Sequence, residues 1–455
     1  MASEITKARP DSGAGASLKR ELGVRDLTLF AIACITSARW IPIAAHAGAS
    51  SITLWLLAAL FFAVPLTIAV AALVRKYPDA GGLYVWTRED FGPWHGFLSF
   101  WLYWIGIACL FPSATLLYMR ISFALLGPKY AGLGDNRTYL LGATLAALWI
   151  AIGSNTVGLK VGKWTENLGA IATWIVGIVL IVVACMTWTR RGSATTPQII
   201  PTWNWSTINF WAAIAFAMSG MENPGMMAGE MRDPERTMRR AGWMATGFAT
   251  LFYVAATAAF LVVLPAPKIS ELNGFAEVGD SAGRLFGAPW LSPVLALLVL
   301  LGGVGLLGGL GTSTSRLPFA AAADGLLPKA FAKIHPRWGT PHISMLVLAL
   351  TATALLVMSQ LGDTLSAAYD ELISMMVING FIPYVYVFGS AWRAGKRVSV
   401  LSGLAITIIA IVCSVVPPPE VSNLWLFEGK IALGTCGIAG VGWLIYRRQL
   451  LKRTS

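Results

Sequence analysis

Residues Trp211 to Ala241 read WAAIAFAMSGMENPGMMAGEMRDPERTMRRA. The stretch begins as an apolar helix through Met218 and then meets Ser219-Gly220-Met221-Glu222-Asn223-Pro224-Gly225, a run that a continuous membrane helix would not choose. Pro224 lacks an amide hydrogen and crowds the carbonyl four residues earlier, and Gly220 and Gly225 permit non-helical backbone. A carboxylate, Glu222, falls inside the interruption. Apolar character returns at Met226-Met227-Ala228 and ends at the charged run Glu230 to Arg240. Non-helical backbone at membrane depth survives only where protein buries it or where it lines a watery cavity. A broken helix of this kind points to a transporter's binding site.

The composition agrees with a membrane setting. Of 455 residues 56% are hydrophobic and only 12% are charged, about half the charged share of a soluble protein. The net charge of +12 is read as the basic excess of loops on one membrane face, with no nucleic-acid partner expected. The five cysteines, Cys34, Cys109, Cys185, Cys413 and Cys436, lie in apolar runs without metal or disulfide spacing and are expected to be small buried hydrophobes. No cofactor or metal site is expected. The first stretch of the chain is polar and charged, so no cleavable signal peptide is visible.

Apolar runs near the length needed to cross a bilayer predict about twelve spans: 26–48, 52–74, 94–118, 138–156, 165–188, 208–230, 241–264, 290–315, 342–360, 371–391, 398–416 and 429–446. Residues 1–25 and 447–455 form tails, 26–391 a core, and 392–446 two additional helices. With the N-terminus inside, cytoplasmic segments collect 25 of the 34 Lys and Arg, outer segments collect eight, and Arg39 remains within a span. Both termini are therefore expected in the cytoplasm of a multi-pass cell-membrane protein. Asn136-Arg137-Thr138 and Asn204-Trp205-Ser206 match the glycosylation triplet on expected outer loops, a pattern that chance explains better.

The first span is interrupted as well. Thr36-Ser37-Ala38-Arg39-Trp40-Ile41-Pro42 breaks apolar sequence with hydroxyls, a guanidinium and a proline. Breaks at corresponding places in two five-helix halves, about 26–188 and 208–391, are the pattern of an inverted repeat with substrate held between half-helix ends. The correspondence is one of hydropathy and interruption, not of matched residues.

Four stretches resemble the amino acid–polyamine–organocation (APC) permeases. Pro78-Asp79-Ala80-Gly81-Gly82-Leu83-Tyr84-Val85-Trp86 with Phe91-Gly92-Pro93 is similar to that family's first cytoplasmic loop. Phe216 to Glu222 with Gly229-Glu230-Met231-Arg232-Asp233-Pro234-Glu235-Arg236-Thr237 resembles its sixth span and the loop after it. Ser315-Arg316 with Ala323-Asp324-Gly325-Leu326-Leu327-Pro328, and Gly339-Thr340-Pro341, resemble the end of its eighth span and the start of its ninth. The resemblance implies an all-α, LeuT-type fold: a 5+5 inverted repeat plus two C-terminal helices, with helices 1 and 6 discontinuous. It also implies transport of amino acids or related amines. Relatives commonly carry Gly-Ser-Gly at the first break, where amides hold the substrate carboxylate. Thr36-Ser37-Ala38 stands here instead, which narrows the approach to the backbone.

The candidate binding residues follow. Thr36, Ser37 and Ala38 offer amides at the first break, where a half-helix N-terminus favours an anion; the bland alternative is a packing kink. Arg39 at mid-membrane costs at least ~2.5–3.5 kcal/mol on insertion scales. It needs a partner: a substrate carboxylate or a fixed pair with Glu222. Glu222 is open to three roles, accepting a substrate ammonium, binding a proton or gating, the last implied by the resemblance. Phe216 matches an aromatic that lids substrate in relatives, and Trp104 and Ile107 of the third span are weaker candidates. Ser219 and Gly220 complete the set. His46, His95, His335 and His342 are scattered and receive no role.

The resemblance also bears on coupling. Sodium-dependent members place hydroxyls in the middle of span eight, where this chain has Gly302-Gly303-Val304-Gly305-Leu306-Leu307-Gly308-Gly309, with Thr312 to Ser315 further along. Some proton-coupled members place a lysine in span five, where Thr173-Trp174 stands. Exchange or facilitated diffusion is expected, with Glu222 as the remaining proton site. The glycines read as close helix packing. A polyamine or organic-cation carrier stays open. A membrane-embedded enzyme is a remote alternative, since no HExxH, Walker loop or paired loop carboxylates occur, and Asp79 and Asp324 are expected without partners. Asp370-Glu371 reads as a solvated helix start.

Overall fold

The computed structural model describes residues 20, 22–78, 81–126, 130, 132–133, 136–156, 159–196, 198, 200–201, 208–338, 340–360, 365–417 and 423–454. Asp79, Ala80, Gly339, the Asn204 triplet and most of the N-terminal tail lie outside them.

Among the described residues nine helices are long and apolar enough to cross a bilayer, and Val24–Ile35 with Trp40–His46, bent by 47°, forms a tenth span. The shorter apolar helix Arg137–Gly153 falls at the expected fourth span. The expected sixth is split into Ile208–Ala217 and Glu222–Met226, each too short to cross unaided. The twelve expected spans thus all fall on helical segments. Large side chains such as Ile150, Leu251 and Val412 stay exposed on the outside, as expected where lipid replaces water as the solvent. Cys185 and Cys436 are exposed on that outer surface too, and only Cys109 and Cys413 are fully buried. The expectation of five buried thiols fails because an apolar run facing lipid looks like one facing the core.

The two broken spans lie at the centre. The Trp40–His46 half-helix packs on Ile208–Ala217, and Val24–Ile35 packs along Pro234–Val263. Pro93–Leu126 and Leu365–Arg393 pack closely, and Leu291–Thr314 packs on Leu159–Arg191. Glycines set these spacings. A Cβ on Gly106 would sit 3.1 Å from the Gly380 amide nitrogen, and one on Gly169 would sit 2.5 Å from the Gly305 Cα. A Cβ on Gly303 would enter the Tyr118 ring at 2.3 Å, so Gly303 and Gly305 of the eighth span serve close packing.

One end of the bundle gathers the expected basic connections, and the Gly82–Phe91 helix lies there. Gly82 takes φ +47°, and a Cβ on it would meet Met226 Cγ at 2.5 Å, so glycine lets this helix abut the end of the Glu222–Met226 half-helix. Asp324 is not without partners: Tyr84 donates to its Oδ2 at 2.5 Å and Arg88 pairs with it. Burial and the Asp324 carboxylate push the Tyr84 phenol up, which keeps it a donor. Arg316 meets Glu230 at 3.1 Å. Leu22 bridges to the loop after the sixth span, its amide donating to the Glu230 carbonyl at 3.0 Å and its carbonyl accepting from the Arg232 amide at 3.2 Å.

One further expectation changes. Asp370 and Glu371 are 4% and 3% exposed, not a solvated helix start. Glu371 takes both oxygens to Lys430 Nζ at 2.8 Å, and Lys430 also donates to the Ser359 carbonyl at 3.3 Å. Charge adjacency in sequence suggested water, but the partner arrives from 59 residues away. Asn136, in the first glycosylation triplet, accepts from the Tyr139 amide at 3.0 Å and so caps the following helix.

Candidate functional site

The first break has a defined backbone. Thr36 ends the Val24–Ile35 helix: its amide and hydroxyl both donate to the Ile32 carbonyl, at 2.8 and 2.7 Å. Tyr253 then bridges the gap, donating to the Ile35 carbonyl at 2.7 Å and accepting from the Ser37 amide at 3.0 Å. The phenol thereby satisfies a carbonyl and an amide that the break would leave bare. Trp55 stacks on it with ring centroids 4.3 Å apart. No feature of the sequence marked Tyr253, a tyrosine in an otherwise ordinary apolar span.

The second break lies earlier than expected. The backbone leaves the helix at Met218 to Met221 and resumes at Glu222, so Pro224 sits in the first turn of the second half-helix. A proline there gives up an amide that has no helical partner anyway. The breaker is Gly220, at φ +110°, where a Cβ would stand 3.1 Å from the Cys34 carbonyl. Glycine therefore lets the sixth span touch the end of the first half-helix.

Glu222 is 1% exposed and well partnered. Tyr103 donates to its Oε1 at 2.7 Å, Asn223 Nδ2 donates to Oε1 at 3.2 Å, and the Gly220 amide donates to Oε2 at 3.1 Å. Ser313 extends the network from the eighth span, donating to Asn223 Oδ1 at 3.1 Å. The buried Tyr384 hydroxyl stands beside Glu222 and Ser219 without closing a hydrogen bond.

Arg39 is the opposite case. It is 0% exposed, and Nε, Nη1 and Nη2 all lack a hydrogen-bond partner. The guanidinium lies over the Trp40 ring, 4.5 Å from its centroid, within electrostatic reach of Tyr118, Tyr253 and Tyr369. No ion pair joins it to Glu222 among the described residues, so the fixed pair is not the arrangement adopted.

These residues surround one void of about 40 Å³, room for a few waters. Of the residues expected from sequence, Ser37, Arg39, Ile107, Phe216, Ser219, Gly220 and Glu222 line it. Thr36, Ala38 and Trp104 are buried but are not among its lining residues; Trp104 instead stacks on Trp101 at 5.7 Å. Phe216 covers the void edge-on to Trp40 and Phe381, at 6.0 and 5.5 Å, and Gly380 leaves room for its ring. Tyr103, Asn223 and Tyr384 line the void and were not anticipated. Asn223 sat inside the quoted break and could have been found; the two tyrosines carried no signal.

A second void of about 270 Å³ lies toward the end opposite the basic connections, with His46, Lys268, Glu271, Tyr369 and Asp370 in its wall.

The family profile described as amino acid permease matches residues 22–419. The chain belongs to the amino acid permease family. The permease is thus a membrane transporter and not an enzyme, in keeping with the APC resemblance. It is 26% identical over 456 residues to an uncharacterized transporter of Legionella pneumophila, covering 95% of this chain and 97% of that one. It is also 26% identical over 359 residues to the cadaverine/lysine antiporter of Escherichia coli, covering 75% and 76%. Among solved structures it is similar to MhsT in complex with L-phenylalanine, with TM-score 0.60, 17% identity, and coverage of 85% of this chain and 97% of that one. That likeness shows the fold, which is LeuT-type.

Proposed function

We propose that the permease carries an amino acid or a related amine across the cell membrane by alternating access, holding it at the void between the two breaks. The observation that carries this reading is the meeting of both interrupted spans at one void whose wall contains Arg39 and Glu222. Ser37, Arg39, Ile107, Phe216, Ser219, Gly220 and Glu222 are the contact residues proposed, with Thr36 and Ala38 supplying the backbone of the break. Trp104 is retained only as support for the third span behind Tyr103.

A void of about 40 Å³ has room for a few waters and not for a substrate, so the half-helices must part for a ligand to enter. Each break is a natural hinge, because few backbone hydrogen bonds cross it. Phe216 and Glu222 gate the void in this scheme. The Arg88–Asp324 and Arg316–Glu230 pairs hold the basic end closed, and that end, with both termini, faces the cytoplasm.

Exchange, facilitated diffusion or proton linkage fits better than sodium coupling. The middle of the eighth span, Gly302 to Gly309, carries no hydroxyl, and Glu222 is an ionisable group available for a proton. The antiporter of Escherichia coli supports an exchange mode by analogy alone.

The test is reconstitution of the full chain into sealed liposomes and measurement of counterflow for a panel of labelled amino acids and amines. Saturable counterflow of at least one of them supports the reading. Its absence for the whole panel, with protein shown to be folded and inserted, removes it.

A further inference from the structure

We propose that the void selects a net-negative substrate, an acidic amino acid or another small carboxylate, with Arg39 as the residue that sets this specificity. The proposal rests on the transport reading above and assigns the charge class that the reading leaves open.

Arg39 and Glu222 are the two charged side chains lining the void. All three guanidinium nitrogens are buried and without partners, while the carboxylate already accepts from Tyr103, Asn223 and the Gly220 amide. An ionised carboxylate offers roughly four acceptor positions, so about one remains, and the Tyr384 hydroxyl stands beside it. The guanidinium therefore has no acceptor at all, while the carboxylate has most of its acceptor positions filled.

Geometry adds to the sign. The guanidinium lies over the Trp40 ring, its Cζ 4.5 Å from the centroid, which limits where the group can reach before any ligand arrives. A planar, oriented fork suits bidentate capture of a carboxylate. The same stacking occupies the Trp40 face that could otherwise receive an ammonium, and Phe216 is engaged edge-on with Trp40 and Phe381. A diamine entering this space would meet the field of a buried guanidinium, and its second ammonium would find no carboxylate in the wall beyond Glu222. An acidic amino acid brings two carboxylates for the five N–H donors of Arg39, of which one bidentate contact uses two, and a single ammonium for the remaining Glu222 position. The outer void contributes both signs, with Lys268 beside Glu271 and Asp370, so selection by charge falls to Arg39.

The experiment uses the full-length protein in detergent and in liposomes. Thermal shift is measured with L-glutamate, L-aspartate, succinate, L-leucine, L-lysine, cadaverine and sodium chloride, each followed by competition in liposome uptake. The expected result is stabilisation and uptake of the acidic amino acids, with lysine and cadaverine at least about tenfold weaker. Arg39→Gln should weaken acidic ligands by about tenfold or more, the usual loss when a hydrogen bond to a charged group is removed, and Arg39→Lys should recover part of it. Binding of lysine, cadaverine or leucine as tight as that of glutamate overturns the proposal and leaves the transport reading intact. Stabilisation by chloride alone, with no carboxylate effect, overturns it as well. Uptake of none of the panel overturns it too, and the transport reading is then decided by the wider counterflow panel described above. Should Arg39→Gln fail to fold, the wild-type panel still decides.

Discussion

The Glu371–Lys430 pair offers a quantitative test of whether an intramembrane charge in this permease is scaffold or pathway. Ionisable residues within spans are functional candidates by default. Here Lys430 Nζ lies 2.8 Å from both carboxylate oxygens, and the side chains are 5% and 4% exposed. Neither residue lines the void at the breaks, and the geometry ties the tenth span to the helix Leu424–Ala432. Lys430→Met strands a buried carboxylate and Glu371→Leu strands a buried ammonium. Each single change should cost about 3–5 kcal/mol. The double variant removes both desolvation penalties. Its one leftover is the Ser359 carbonyl, which loses a donor at 3.3 Å, a cost of about 1 kcal/mol. The double should therefore lie within about 1–2 kcal/mol of wild type, with a coupling energy of several kcal/mol. Unfolding of the four purified proteins in detergent, by denaturant titration, measures this cycle. Uptake in liposomes by the double variant should match wild type. If the double is no more stable than either single, the pair is not the source of the cost. If it is stable but transports nothing, the pair belongs to the mechanism and the scaffold reading is wrong.

Three other outcomes are expected. Gly220→Ala forces a φ of +110° on a side-chain residue and brings a Cβ to 3.1 Å from the Cys34 carbonyl; it should cost about 1–3 kcal/mol and abolish uptake, and normal uptake would show that the breaks need not touch. Tyr103→Phe removes the 2.7 Å donor to Glu222, so stability should fall by about 1–3 kcal/mol. In a Glu222→Gln background the same change should cost less, and equal costs would deny the bond. Asp324→Asn should leave stability within about 1 kcal/mol, because its partner Arg88 is 28% exposed. It should nonetheless raise maleimide labelling of Cys34, a residue of the void wall, in a variant whose Cys185 and Cys436 are serine. Substrate should protect Cys34, and unchanged labelling in both conditions would place the binding site elsewhere.

What could be read from the sequence divides along a physical line. A hydropathy run states that a helix resides in lipid, and interruptions within two such runs state where backbone must find shelter, so the spans and both breaks were legible. The details of each break were not, because they depend on what packs against it. Pro224 looked like the breaker by its chemistry, yet the structure uses Gly220, since a proline in a first turn breaks nothing while a left-handed φ ends a helix outright. Arg39 and Glu222 were both visible as charges at membrane depth. Whether they paired was not, because the answer lies with Tyr103, which reaches the carboxylate from the third span. The same limit explains Glu371, whose partner lies in another span. Sequence marks the places where a lone polar group would be intolerable in lipid, and only the fold tells which are answered from within. Glu222 and Glu371 are answered. Arg39 is not, and a guanidinium left without a protein partner at the meeting point of two broken helices is the feature that a bound carboxylate would complete.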